Sequence, residues 1–142
     1  ILGNKKGPPP EINLFNEKNN GNTLLKLMDK KFVLSCHDVS KGGILISLAE
    51  MCITGNLGVN INMPKSLINL NEYFFGEDQG RYLIEVEEIN ISPVTKILNK
   101  NSVFFEQIGK TQKDRLTLGK EFEISLINMI QYNNRWFKKF IG

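Results

Sequence analysis

Cysteine, histidine and tryptophan are scarce in this chain, with two, one and one among 142 residues. Cys36 and Cys52 form no CxxC pair and have no histidine at metal-ligand spacing, which argues against a structural zinc site or a disulfide framework. Both sit inside apolar patterns and read as buried thiols of a reducing compartment. No apolar run approaches the ~20 residues that cross a bilayer, and no basic stretch followed by an apolar one marks a secretion signal at the amino end. The cytoplasm is therefore the expected location, no membrane partner is expected, and Asn90-Ile91-Ser92 matches the glycosylation pattern by chance. Charge of one sign is also lacking. Eighteen Lys and Arg against fifteen Asp and Glu leave +3, too little to point to nucleic acid, and Trp136-Phe137-Lys138-Lys139-Phe140 is the only aromatic-basic block. There is no internal repeat and no initiator Met, so the opening Ile1-Leu2-Gly3 reads as a cut from something longer.

What is present suits one folded domain: 41% of residues are hydrophobic and 23% charged, and a chain of this length buries roughly two thirds of its surface on folding. Residues 1–20, with Pro8-Pro9-Pro10, two glycines and several asparagines, read as an extended linker or strap. A single domain follows over residues 21–142. A short helix is expected from an Asn22 cap, carrying Leu24, Leu25 and Met28. Phe32 to His37 reads as a buried strand, and Asp38 to Gly43 as a turn. The clearest helix repeats Ile44, Leu45, Leu48, Ala49 and Cys52 at three- and four-residue steps and stops at Gly55 or Asn56. Leu57, Val59, Ile61 and Met63 alternate as a strand ended by Pro64.

Beyond a connection with room for one helical turn, Arg81 to Val86 is a strand, and Ser92 and Pro93 open a helix with Val94, Ile97 and Leu98 inward. Val103 to Ile108 and Arg115 to Leu118 read as strands joined by a turn over Gly109 to Asp114, and Phe122 to Leu126 as another strand. The tail to Phe140 is expected to be irregular or helical and to pack its aromatics on the sheet. This order is not a regular alternation of strand and helix. The expected class is α+β, a mixed β-sheet packed against helices.

Two polar segments interrupt this pattern. In the first, a strand delivers His37 and Asp38 to Ser40, Lys41, Gly42 and Gly43 at a helix start, where free backbone donors suit an anion and glycines permit close approach. Asp38 or Ser40 capping that helix explains the same residues without a ligand. His37 can act as a base, but no nucleophile accompanies it in sequence, and a satisfied interior histidine is the plainer reading. The second segment packs Glu77, Asp78, Gln79, Gly80 and Arg81 between Phe75 and Tyr82. Its adjacent carboxylates can bridge a divalent ion only if the strand bends, whereas an ion pair with Arg81 needs no ligand.

These segments resemble phosphoribosylformylglycinamidine synthase in its small bacterial synthetase form. The likeness is carried by His37-Asp38-Val39-Ser40 with Gly42-Gly43, by Leu48-Ala49-Glu50-Met51, by Gly58-Val59, and by Phe75-Gly76-Glu77-Asp78-Gln79-Gly80-Arg81-Tyr82-Leu83. Gly7-Pro8-Pro9-Pro10 with Glu11-Ile12-Asn13-Leu14 resembles the join from a preceding domain, so the likeness spans nearly the whole chain. The resemblance implies the carboxyl domain of the second of two repeats, related to the carboxyl domain of aminoimidazole ribonucleotide synthetase. It implies an ATP-dependent, magnesium-requiring ligase of purine biosynthesis that converts formylglycinamide ribonucleotide to formylglycinamidine ribonucleotide. The partners implied are the preceding domains, a glutaminase subunit and a small accessory subunit.

The family's catalytic histidine, magnesium carboxylates and most ATP contacts lie outside this chain, so the resemblance assigns it no catalytic or metal residue and no nucleotide of its own. Asp78-Gln79 stands where the earlier repeat has a substrate-touching Ser-Gln pair, and Lys41 stands where the family usually has Asp, reversing the local charge. The expectation is a piece inactive alone, with His37, Asp38, Ser40, Gly42, Gly43, Glu77, Asp78, Gln79 and Arg81 meeting a ligand or neighbouring domains. The competing reading is a stand-alone interaction or small-ligand module.

Overall fold

The computed structural model describes residues 12–64 and 69–141. Twelve elements follow one another: α1 (Leu14–Asp29), β1 (Ser35–Asp38), α2 (Gly43–Gly55), β2 (Gly58–Ile61), α3 (Leu70–Phe75), β3 (Tyr82–Glu85), a 3-10 turn (Glu88–Asn90), α4 (Ile91–Lys100), β4 (Gly109–Gln112), β5 (Arg115–Leu118), β6 (Phe122–Ser125) and α5 (Leu126–Ile141). β1 and β3 form an antiparallel ribbon, and the other strands form a sheet in the order β4-β2-β5-β6. Only β2 and β5 run parallel, so the sheet is mixed. The fold class is the α+β arrangement that the sequence implies.

The core has two parts on either side of the ribbon. Ile44, Leu48 and Cys52 of α2 meet Val59 and Ile61 of β2, Leu116 and Leu118 of β5, Phe74 of α3, and Leu126 and Met129 of α5. The second part joins Leu27 of α1 to Val94 and Leu98 of α4. Successive ribbon residues point to opposite faces, so Leu83 enters the first cluster while Ile84 packs on the second. Among the described residues no helix is long and apolar enough to cross a membrane.

Three local expectations fail. Residues 14–20, read as part of an extended strap, are the first turns of α1; residues 1–11 lie outside the described residues. Asn13, not Asn22, is the cap: its side chain accepts from the Asn16 N–H at 3.0 Å, and Glu17 lies in the first turn. Asparagines are poor helix formers, yet here they tie α1 across the fold. Asn19 donates to the Asn101 carbonyl at 2.7 Å and Asn20 to the Gly80 carbonyl at 3.0 Å.

The strand and turn expected over 103–108 and 109–114 are displaced. Residues 103–108 instead connect the cores, Val103 packing on the second and Ile108 on the first. The polar segment Gly109–Gln112 becomes an edge strand because β2 pairs with it. β4 and β5 then flank β2, and the short Lys113-Asp114 link crosses its end at Gly58, where an added Cβ would lie 2.0 Å from the Arg115 carbonyl oxygen.

The tail is fully helical, but its aromatics do not pack on the sheet. Trp136 and Phe140 remain 61% and 80% exposed, because the domain ends beneath them after Met129 and Ile130. The thiols also differ from each other. Cys52 is buried and pushed up to about 11, first by burial and then by Glu85; Cys36 is only partly buried and raised by burial and Asp38. Both therefore stay protonated at neutral pH.

Candidate functional site

The ribbon register brings the two polar segments together. Asp38 faces Tyr82 in the antiparallel pair, and the Val39 N–H donates to the Arg81 carbonyl at 2.9 Å. The chain leaving β1 therefore runs beside the chain entering β3. A third link closes the corner: the Gly42 N–H donates to Glu77 Oε1 at 2.8 Å.

That bond corrects the capping expectation. Gly42 is the N-cap of α2 and supplies no side chain, and neither the Asp38 nor the Ser40 side chain caps it. Gly42 and Gly43 have φ of 86° and 70°, a left-handed pair that reverses the chain before the helix. Ser40 contributes its carbonyl, accepting from the Gly43 N–H at 3.1 Å. Gly43 also lies against the end of α3, where an added Cβ would sit 2.6 Å from the Phe74 carbonyl oxygen. Glu77, carried in from the segment after α3, supplies the negative charge that the first turn of α2 lacks.

Arg81 organises the second segment. Its Nη2 lies 3.3 Å from Asp78 Oδ2 and also donates to the Gly76 carbonyl, while its Nε is buried with no hydrogen-bond partner among the described residues. The ion pair expected from sequence is therefore formed with Asp78. Depressions of about 450 and 440 Å³ share Asp78 and Arg81 in their walls. The larger one joins Asp38–Lys41, Glu77–Tyr82 and Glu17, while Glu72 and Tyr73 help line the smaller. Burial raises the Tyr73 hydroxyl above the ordinary tyrosine range, and its 2.8 Å hydrogen bond to Glu106 Oε2 adds to the rise. Tyr73 therefore stays a donor at neutral pH.

His37 sits 28% exposed at the ribbon edge, so it is not interior. Its Nε2 is 3.2 Å from Glu50 Oε2, and its Nδ1 is 2.6 Å from the Asp38 carbonyl oxygen. Both ring nitrogens thus lie near oxygen atoms, contacts that orient the ring. Asp38, Lys41, Asp78 and Gln79 are exposed at the rim.

Sequence reasoning missed Glu17, Asn20 and Tyr73. The first two were hidden in a segment read as a strap, although a capping asparagine followed by an acidic first-turn residue is the signal that would have placed them on a helix.

The larger depression sets Glu17, Asp38, Glu77 and Asp78 against Lys41 and Arg81. Among the described residues no group of three His, Cys, Asp or Glu side chains can hold a metal ion. A carboxylate already takes the Gly42 donor that a phosphate would use. Together these residues form an open corner that carries both signs of charge.

The Glu77 bond gives a direct prediction. Glu77→Ala is expected to cost about 1 kcal/mol, read as a lower urea midpoint with unchanged slope. Glu77→Gln, which keeps an acceptor oxygen, is expected to recover at least half of that loss.

A model of the AIR synthase related protein C-terminal domain matches residues 2–120. The phosphoribosylformylglycinamidine synthase subunit PurL of Pelagibacter ubique is 48% identical over 141 residues, covering 99% of this chain and 19% of the relative. This chain spans about a fifth of the length of the curated relatives it matches. Thermotoga maritima PurL complexed with FGAR superposes with a TM-score of 0.75 at 18% identity, over 92% of this chain and 24% of that one. The Thermotoga PurLQS structure gives 0.71 at 19% identity, over 91% and 23%. These two likenesses are of fold.

Proposed function

The chain belongs to the AIR synthase related protein C-terminal domain family, and from that premise we propose that it is the last domain of a second-repeat phosphoribosylformylglycinamidine synthase. The parent enzyme would be the ATP-dependent ligase that converts formylglycinamide ribonucleotide to formylglycinamidine ribonucleotide in purine biosynthesis. Residues 21–142 form the domain, which α1 carries back to Leu14, and its role is scaffold and interdomain surface. ATP, magnesium and the reaction centre belong to the preceding domains. A glutaminase and a small accessory subunit complete the assembly, a reading supported by the PurLQS name of the Thermotoga structure.

The observation that carries this reading is the meeting of residues 37–43 with residues 77–81 at one end of the ribbon, tied by the Val39–Arg81 and Gly42–Glu77 bonds. Phosphorylating an amide oxygen and then admitting ammonia requires positioned phosphates, charge neutralisation and exclusion of water. This corner is open, its histidine is engaged at both nitrogens, and its helix-start donor is occupied. Its chemistry suits recognition of a neighbouring surface. His37, Asp38, Ser40, Gly42, Gly43, Glu77, Asp78, Gln79 and Arg81 are contact or positioning residues, and none is catalytic.

The test compares two proteins. The 142-residue chain, given ATP, magnesium, formylglycinamide ribonucleotide and ammonia, is expected to form no product, and the full polypeptide carrying this sequence is expected to form it. Titration of the chain with ADP and magnesium is expected to release no heat, with or without Asp38→Ala. Turnover by the chain alone, or none by the full polypeptide, overturns the reading.

A further inference from the structure

The least explained surface is the second half of α5. Leu126, Met129 and Ile130 set its inward face, the first two buried and the third packed against the same core. At 100° per residue, Phe137 and Phe140 return to that face beyond the polar Asn133, with Trp136 beside it. The residues after Ile130 extend the helix by roughly 16 Å at 1.5 Å per residue. Along this overhang Trp136, Phe137, Phe140 and Ile141 are 61%, 53%, 80% and 64% exposed. Among the described residues, nothing covers the apolar face where it resumes past the core.

Three observations narrow what covers it. The stripe faces the same way as the core, so a flat bilayer would have to displace the domain itself to reach it. Residues 126–141 contain three basic residues and no acidic one, so two copies laid together would bring like charges near each other with no carboxylate to offset them. The curated relatives align across this helix, and about four fifths of their length lies outside the matched part, polypeptide that can supply a cover.

We propose that the α5 overhang is a docking arm seated by another part of the same longer polypeptide, at an apolar surface rimmed by carboxylates. This rests on the reading that the chain is one domain of a larger synthetase. The aromatics provide the buried contact, and the rim carboxylates meet Arg135 and Lys139. The arm fixes the domain relative to its neighbour, as the polar corner does at the ribbon end.

The test uses the full polypeptide with benzoylphenylalanine in place of Phe140. Irradiation is expected to give crosslinks within one polypeptide to residues outside 12–141, in an apolar patch containing Asp or Glu. Phe137→Ser, at an exposed position, is expected to lower their yield at least fivefold with an unchanged thermal midpoint. Crosslinks confined to residues 12–141, or formed between copies, overturn the proposal. So does a yield insensitive to Phe137→Ser. Trp136, the single tryptophan of these 142 residues, gives a second readout once any other tryptophan of the full polypeptide is replaced by phenylalanine: a blue shift on adding vesicles with one third phosphatidylglycerol overturns it in favour of a lipid surface. An unchanged emission supports it. Product formation by the same full polypeptide is scored separately, so failure of the docking arm is distinguishable from failure of the synthetase reading.

Discussion

Phe74→Ala is expected to remove about 3–5 kcal/mol of stability, the range for emptying a core aromatic site. Phe74 is 2% exposed, stacks edge-on against Tyr73 with ring centroids 4.9 Å apart, and belongs to the cluster that holds α2, β2, β5 and α5 together. It lies on a helix of only six residues, too short to hold itself by backbone bonds alone. Its side chain therefore anchors α3, and through α3 the segment that carries Glu77 to the start of α2. A domain of this size has ~5–15 kcal/mol in total, so the variant is expected to unfold at much lower urea. The neighbouring Phe75, 49% exposed, is the control: Phe75→Ala is expected to cost less than about 1 kcal/mol. Equal losses at the two positions would show that Phe74 is not the anchor.

Gly43→Ala is the second large effect, and it acts through the backbone. The left-handed conformation costs a side-chain-bearing residue about 1–2 kcal/mol, and the added Cβ would meet the Phe74 carbonyl oxygen at 2.6 Å and the Phe75 carbonyl carbon at 2.7 Å. Neither backbone atom can swing aside as a flexible side chain would, so overpacking adds ~1–3 kcal/mol. A total near 3 kcal/mol is expected, with loss of the Gly42–Glu77 bond as α3 is pushed away. Gly55→Ala provides the contrast within the same helix, because an added Cβ there has nothing within 4 Å. It is expected to be neutral or to stabilise by up to ~1 kcal/mol. Urea midpoints for the two variants should move in opposite directions or differ severalfold; similar shifts would remove the argument that Gly43 is fixed by contact.

These two residues show where local pattern suffices. α2 was legible because its apolar residues recur with helical period and its terminus ends in the Gly55-Asn56 pair, the latter with φ of 53°. β2, β5 and β6 were legible from period-two alternation and their turn residues. The glycine pair at 42–43 announced a tight approach, but not what approaches. The second half of α1 was legible from Leu24, Leu25 and Met28, but its first turns and β4 were not: their sequences are polar, and partners distant in sequence engage them. The aromatic tail misled because hydrophobicity indicates a need for cover without saying whether this domain provides it.

By itself, the sequence determined the α+β class, the main core helix, and the two polar segments whose residue types mark them as special, because each follows from local periodicity or residue identity, and its motifs carried the likeness to the family. Tertiary structure alone decided that Asp38 lies opposite Tyr82, that Glu77 rather than Asp38 or Ser40 caps α2, and that α5 runs past the core it starts in. The physical reason is that pairing register, capping across 35 residues of chain and the edge of a packed core are relations between distant segments. Their geometry exists only after the intervening chain has folded.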